Sequence, residues 1–174
     1  LLEVEGVTFA ILNYTYSPNL STLPKWLQGH LGMLCDWDQK TGKIDFKRIH
    51  PDVLTDIQKA KQMADVVVVC PHWGNEYTLV PTYYQKEFAK QMTEAGADLI
   101  LGTHPHVIQP IEWIEAENGN KALCYYSLGN YVSAQYKPAT MLEAMAWVVF
   151  EVDEDSVSII EDETGAIPMV YQYN

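Results

Sequence analysis

Over residues 3–14, EVEGVTFAILNY, apolar side chains alternate with polar or small ones around Val7, Phe9 and Ile11. A period of two predicts a strand with one buried face. Residues 15–50 are rich in Pro, Asn, Gly and Trp and hold no period. They predict a long irregular excursion with one short helix after Pro24, and loops of that length are often functional.

From residue 52 the pattern becomes regular. Asp52 reads as an N-cap, and VLTDIQKAKQMA sets Val53, Ile57, Ala60 and Ala64 on one helical face. DVVVVC (65–70) is a β-branched run, as expected of a strand covered on both sides. Pro81 opens a second amphipathic helix, PTYYQKEFAKQMTEAG, with Tyr84, Phe88, Met92 and Ala95 on one face and Gly96 at its end. DLILG (98–102) follows as a second short buried strand.

These two units repeat one plan: helix end, Asp, apolar strand, histidine. Parallel strands joined by a helix lie in one sheet with a right-handed crossover. Both strands therefore end at one sheet edge, where open α/β sheets bind ligands. That edge gathers His72 with His104 and His106. After residue 110 the pattern predicts strands: a pair around a turn at Glu117–Asn120, then 142–152, 156–160 and 167–173, with a hairpin turn at DEDS (153–156). The expected architecture is α/β, a parallel βαβ layer packed against a mostly antiparallel sheet, in a single domain over 1–174.

Composition narrows the partners. Eleven Lys and Arg against 23 Asp and Glu give a net charge of −12. That excludes a nucleic-acid partner, which requires a basic footprint, and favours divalent cations. Three cysteines, Cys35, Cys70 and Cys124, form no CxxC pair and read as small apolar residues. No apolar run approaches the roughly 18–20 residues needed to span a bilayer. The chain opens on LLEVEG without Met, which reads as an internal starting point.

Neutral imidazole is the commonest protein metal ligand, so three histidines at converging strand ends point to a divalent metal at His72, His104 and His106. Pro105 stiffens the turn and biases His104 toward extended backbone; Gly102 permits close backbone approach. Glu76, four residues after His72, reads either as an acid or base beside the metal or as a surface charge. Trp73 and Tyr77 wall a substrate pocket or pack in the core. Asn130, in SLGNY (127–131), borders the same region or serves a turn. His72, His104 and Glu76 are the catalytic candidates, and Trp73, Tyr77 and Asn130 the substrate-binding ones. There is no GxSxG, Walker A or dinucleotide-binding glycine motif.

HWGNEY (72–77), GADLILGTHPHVIQPIE (96–112) and YSLGNYVS (126–133), in that order, resemble the bacterial CapA family of capsule or poly-γ-glutamate synthesis proteins. That family is similar to the calcineurin-like metallophosphoesterases, an α/β/β/α sandwich. The resemblance covers most of 3–133. It implies that His72 is the single metal-binding histidine ending a strand, and that His104 and His106 are the paired histidines of the closing motif, one to each of two ions of Mn, Zn or Fe type. It implies a phosphoester or anionic-polymer substrate, a membrane polymer synthase as partner and an extracytoplasmic setting. Such a domain also carries a GD-type strand and an ANNH-like segment, and neither motif occurs in these 174 residues. The chain is therefore expected to be the C-terminal part of a CapA-type domain, holding part of a two-metal site. The competing expectations are a metal-dependent hydrolase, a capsule-assembly factor that binds polymer without turnover, and a structural domain whose histidines are core or loop residues.

Overall fold

A computed structural model describes residues 1–154 and 156–171. The first predicted strand is a hairpin, β1 (Leu2–Val4) and β2 (Val7–Thr15). The alternation runs through it, but Glu5 (φ 50°) and Gly6 (φ 86°) turn the chain back, a two-residue turn that requires positive φ at both positions. The excursion holds a second hairpin, β3 (Cys35–Trp37) and β4 (Ile44–Ile49). The helix expected after Pro24 does not form. Leu27 N–H donates to Pro24 O and His30 N–H to Leu27 O, and Gly29 at φ 77° ends the turn.

Helix α1 (Pro51–Lys61) starts earlier than Asp52 predicts. His50 is the N-cap, its Nδ1 accepting from Asp52 N–H at 3.2 Å, because Pro51 needs no donor at the first helical position. Strand β5 (Val66–His72) follows. Helix α2 (Tyr83–Ala95) is capped by Thr82 rather than opened by Pro81. Thr82 and Gln85 form a reciprocal capping box, and Gly96 closes the helix at φ 113°. Loss of such a cap costs about 1 kcal/mol.

Strands β6 (Leu99–Leu101), β7 (Ile111–Glu115) and β8 (Lys121–Tyr125) complete a six-stranded sheet in the order β1-β2-β5-β6-β8-β7. The central strands β2, β5, β6 and β8 are parallel, and the two edge strands are antiparallel. The Val66–Val69 run divides by alternation. Val67 and Val69 face α1 and α2 with Ile57, Phe88, Met92 and Ile100. Val66 and Val68 face the other side with Leu99, Leu123 and Tyr125. Each such side chain contributes about 1.5–3 kcal/mol when fully buried.

That second face is covered by small antiparallel pairs. The predicted strand 142–152 splits into β9 (Leu142–Trp147) and β10 (Phe150–Val152), after a short helix α3 (Pro138–Met141). Strand β10 pairs with β11 (Val157–Ile159), and β9 with β12 (Gly165–Val170). The DEDS turn and the end of the last predicted strand include Asp155 and residues 172–173, which lie outside the described residues. The architecture is α/β as expected, a mixed sheet with parallel βαβ units plus small antiparallel sheets. Cys35 and Cys124 are buried and Cys70 half-buried, all as free thiols. Among the described residues no helix is long and apolar enough to cross a membrane.

Candidate metal centre

Three chain segments meet at the carboxyl ends of β2, β5 and β6. Backbone hydrogen bonds tie them together: Tyr16 N–H to His72 O at 2.9 Å, Trp73 N–H to Thr103 O at 3.1 Å and Tyr77 N–H to Pro105 O at 2.8 Å. Gly102 makes the close packing possible. A Cβ there would lie 2.1 Å from Tyr126 O and 2.5 Å from Trp73 Nε1, in the path of the 2.9 Å hydrogen bond that Trp73 Nε1–H gives Tyr126 O.

The backbone is strained where the donors sit. Tyr77 (φ 59°), His104 (φ 99°) and His106 (φ 60°) all have positive φ, a conformation that costs about 1–3 kcal/mol and gathers at functional sites. The extended backbone expected for His104 before Pro105 is thus not what forms; the bonds of Thr103 and Pro105 to the β5 loop override that bias.

Glu76, His104 and His106 each offer a ligand atom, all within 4.8 Å of one another. His104 is buried, His106 half-buried and Glu76 exposed. The compact group therefore includes Glu76, for which the chain pattern left acid–base and surface roles open. His72 ends β5 with its ring centroid 4.5 Å from that of His104, outside the compact group, and its Nδ1 lies 3.4 Å from Thr103 Oγ1.

Asn130 orients His106. Its Nδ2 donates to Thr140 O at 3.0 Å and Gln135 Oε1 at 3.2 Å, which turns Oδ1 to His106 Nδ1 at 2.7 Å. The His106 proton then sits on Nδ1, and Nε2, 3.9 Å from Glu76 Oε1, presents its lone pair. An outer carbonyl fixing tautomer and ring in this way is the usual support of a metal-binding histidine. Tyr77 stacks on the same ring, centroids 5.8 Å apart. Trp73 is buried and held by its indole hydrogen bond.

The pattern of the chain gave no role to Tyr16, yet its hydroxyl lies 3.1 Å from His104 Nε2. The signal was its place just past a strand that runs parallel to β5, since Thr15 pairs with His72. Burial raises the Tyr16 pKa, with Glu76 adding to the effect, so it remains a hydroxyl. Burial also lowers the pKa values of His72 and His104. His106 pushes His72 further down, and His72 does the same to His104, against an opposing pull from Glu76. Both rings stay neutral, the form that binds metal. Two imidazoles and a carboxylate suit a first-row divalent cation, so the donor set fits the expected group.

Residues 1–135 match the family described as bacterial capsule synthesis protein PGA_cap. The chain belongs to this family. The chain is similar to the PGA biosynthesis protein CapA of Bacillus subtilis (strain 168), 48% identical over 79 residues, which are 45% of this chain and 20% of that protein. The capsule biosynthesis protein CapA of Bacillus anthracis is 38% identical over 118 residues, 65% of this chain and 27% of that protein. The uncharacterized protein y4sH of Sinorhizobium fredii (strain NBRC 101917 / NGR234) is 26% identical over 127 residues, 67% of this chain and 25% of that protein. The chain thus spans about a quarter of the length of the curated relatives it matches. The matched residues include Glu76, His104 and His106 of the candidate metal centre, and Asn130.

Proposed function

We propose that this member of the capsule synthesis family is a metal-dependent hydrolase of the metallophosphoesterase type, acting on an anionic substrate in capsule or poly-γ-glutamate biosynthesis. The observation that carries this reading is the Glu76–His104–His106 group, with Asn130 fixing the tautomer of His106. In this reading Glu76, His104 and His106 hold one ion, and His72 serves a second. A bound divalent ion supplies Lewis acidity and lowers the pKa of its water toward neutrality. The chain's own residues do the positioning. Asn130 keeps the His106 proton away from the site, Tyr16 offers a hydroxyl beside His104, and Trp73 and Tyr77 flank the substrate. We assign it an extracytoplasmic setting with a membrane polymer synthase as partner, on family grounds.

A second reading, a polymer-binding factor without turnover, is favoured by one feature. Lys40, Lys43, Lys47 and Arg48 line one cleft on the β3–β4 hairpin beside Asp36, Asp38 and Asp45; Arg48 pairs with Asp36 at 3.1 Å, and the cleft keeps a net positive charge in a chain of net charge −12. One experiment separates the two. Hydrolysis of a phosphoester and of poly-γ-glutamate is measured with added Mn²⁺ or Zn²⁺, beside a His104→Ala, His106→Ala variant. Metal-dependent turnover that falls at least about 100-fold in the variant, beyond the usual loss for an outer-shell change, supports the hydrolase. Polymer binding without turnover in either protein supports the second reading.

A further inference from the structure

Beside the metal centre lies a cavity of about 360 Å³ whose walls are mostly rings: Tyr16, Phe46, Trp73, Tyr83, Tyr84 and Phe88. That volume is in the range of small-molecule sites. Two links join it to the centre. Tyr16 is a wall of the cavity and also meets His104 Nε2 at 3.1 Å. Trp73, Gly74 and Asn75, which line it as well, are the whole of the chain between His72 and Glu76.

The chemistry of the walls is specific. The Tyr16 and Phe46 rings stand 5.7 Å apart, and Tyr83 meets Tyr84 edge-on at 5.3 Å. Aromatic faces and edges set this way favour another flat ring. No lining side chain is charged at neutral pH: burial, with Asp45 and Asp36 adding to it, pushes the Cys35 thiol up to about 12. Asn75, Tyr83 and Tyr84 line the cavity, and no hydrogen bond to a described residue engages the Asn75 amide or either hydroxyl. Gln85, by contrast, is committed to Thr82 and Gln109. The cavity therefore offers flat apolar walls, three polar side chains not engaged elsewhere among the described residues, and no charged group that would hold an ion.

We propose that this cavity binds a flat, uncharged ring, and that the ligand of the neighbouring centre is an anionic ester carrying such a ring. The second clause rests on the metal-dependent reading above; the first does not. It divides the ligand between two sites, with charge at Glu76–His104–His106 and the ring among the aromatic walls.

The test uses two kinds of probe. Benzamide, an uncharged ring with an amide edge, is titrated into the metal-free protein by saturation-transfer NMR. Phenylphosphonate and methylphosphonate are titrated calorimetrically into the Mn²⁺-saturated protein. The variant is Phe46→Ala, Tyr83→Ala, whose side chains are 39% and 69% exposed and whose loss spares the core. Trp26→Ala, at a 73% exposed aromatic outside the cavity, is the control. Benzamide should saturate the wild type and the control and fail to saturate the variant. Phenylphosphonate should bind at least tenfold more tightly than methylphosphonate, and the ratio should approach one in the variant. Benzamide that does not saturate, a phosphonate ratio near one in the wild type, or a preference that survives in the variant would overturn the ring site. Saturating benzamide with no binding of either phosphonate upholds the ring site and overturns the metal-dependent reading instead.

Discussion

The two ends of the parallel strands carry polar residues for opposite reasons. At the amino end, Asp98 accepts from Val67 N–H at 2.8 Å and from Lys61 Nζ at 2.8 Å, and Asp65 accepts from Thr8 N–H at 2.7 Å. Each charge there has a partner, and each bond closes a strand start. At the carboxyl end, His72, His104 and His106 crowd together on backbone with positive φ at two of the three, and Glu76 stands exposed beside them. Each imidazole there has one nitrogen held by a neighbour, Thr103, Tyr16 or Asn130, while Glu76, His104 and His106 each keep a donor atom within 4.8 Å of the others. One end of the sheet satisfies its polar groups within the fold, and the other leaves them available to a ligand.

That contrast can be broken by experiment, and the largest effect should come from the amino end. Asp98→Ala removes the partner of a part-buried backbone N–H and of Lys61, at a cost of about 2–3 kcal/mol for hydrogen bonds to a charged group. Urea denaturation should show that loss while Mn²⁺ affinity stays unchanged. A loss of metal affinity would show the two ends to be coupled. At the carboxyl end, Asn130→Ala frees the His106 tautomer and should weaken Mn²⁺ binding by about tenfold or more, read by calorimetry. Affinity equal to wild type would mean that Asn130 serves only the loop that ends at Thr140.

The smallest effect is a pH dependence. Burial, then neighbouring histidines, holds the His72 and His104 pKa values below 6.5 in the fold. The unfolded chain therefore binds more protons as pH falls through about 6.5, so metal-free stability is fully present above that pH and declines below it. Urea midpoints between pH 7.5 and 5.5 should show the decline, and His72→Gln, His104→Gln should flatten it. An unchanged slope in that variant would place its origin elsewhere.

The chain pattern was most informative where periodicity was strong. The α1, α2, β5 and β6 segments each carried a clear repeat, and placing His72 and the 104–106 pair at one edge needed only the crossover rule. It failed where a turn left the alternation intact, as at Glu5–Gly6, and in the aperiodic excursion, where the Cys35–Trp37 and Ile44–Ile49 hairpin was not read. The three histidines could be read as a group, but Glu76 could not be ranked above a surface charge until the β5 loop was seen held to Pro105. Tyr16 lies 88 residues from its partner His104, in a stretch whose side chains follow no period. Only strand order brings the two together.

Gly102 has a consequence for descent. The backbone at 102, the indole at 73 and the carbonyl at 126 occupy one small volume, which the missing Cβ leaves free for a hydrogen bond. A lineage that gains a side chain at 102 must move the backbone carbonyl of 126 as well as the indole of the first residue after His72. A smaller residue at 73 would leave the clash with the carbonyl of 126 in place, so position 102 is expected to stay glycine whatever stands at 73.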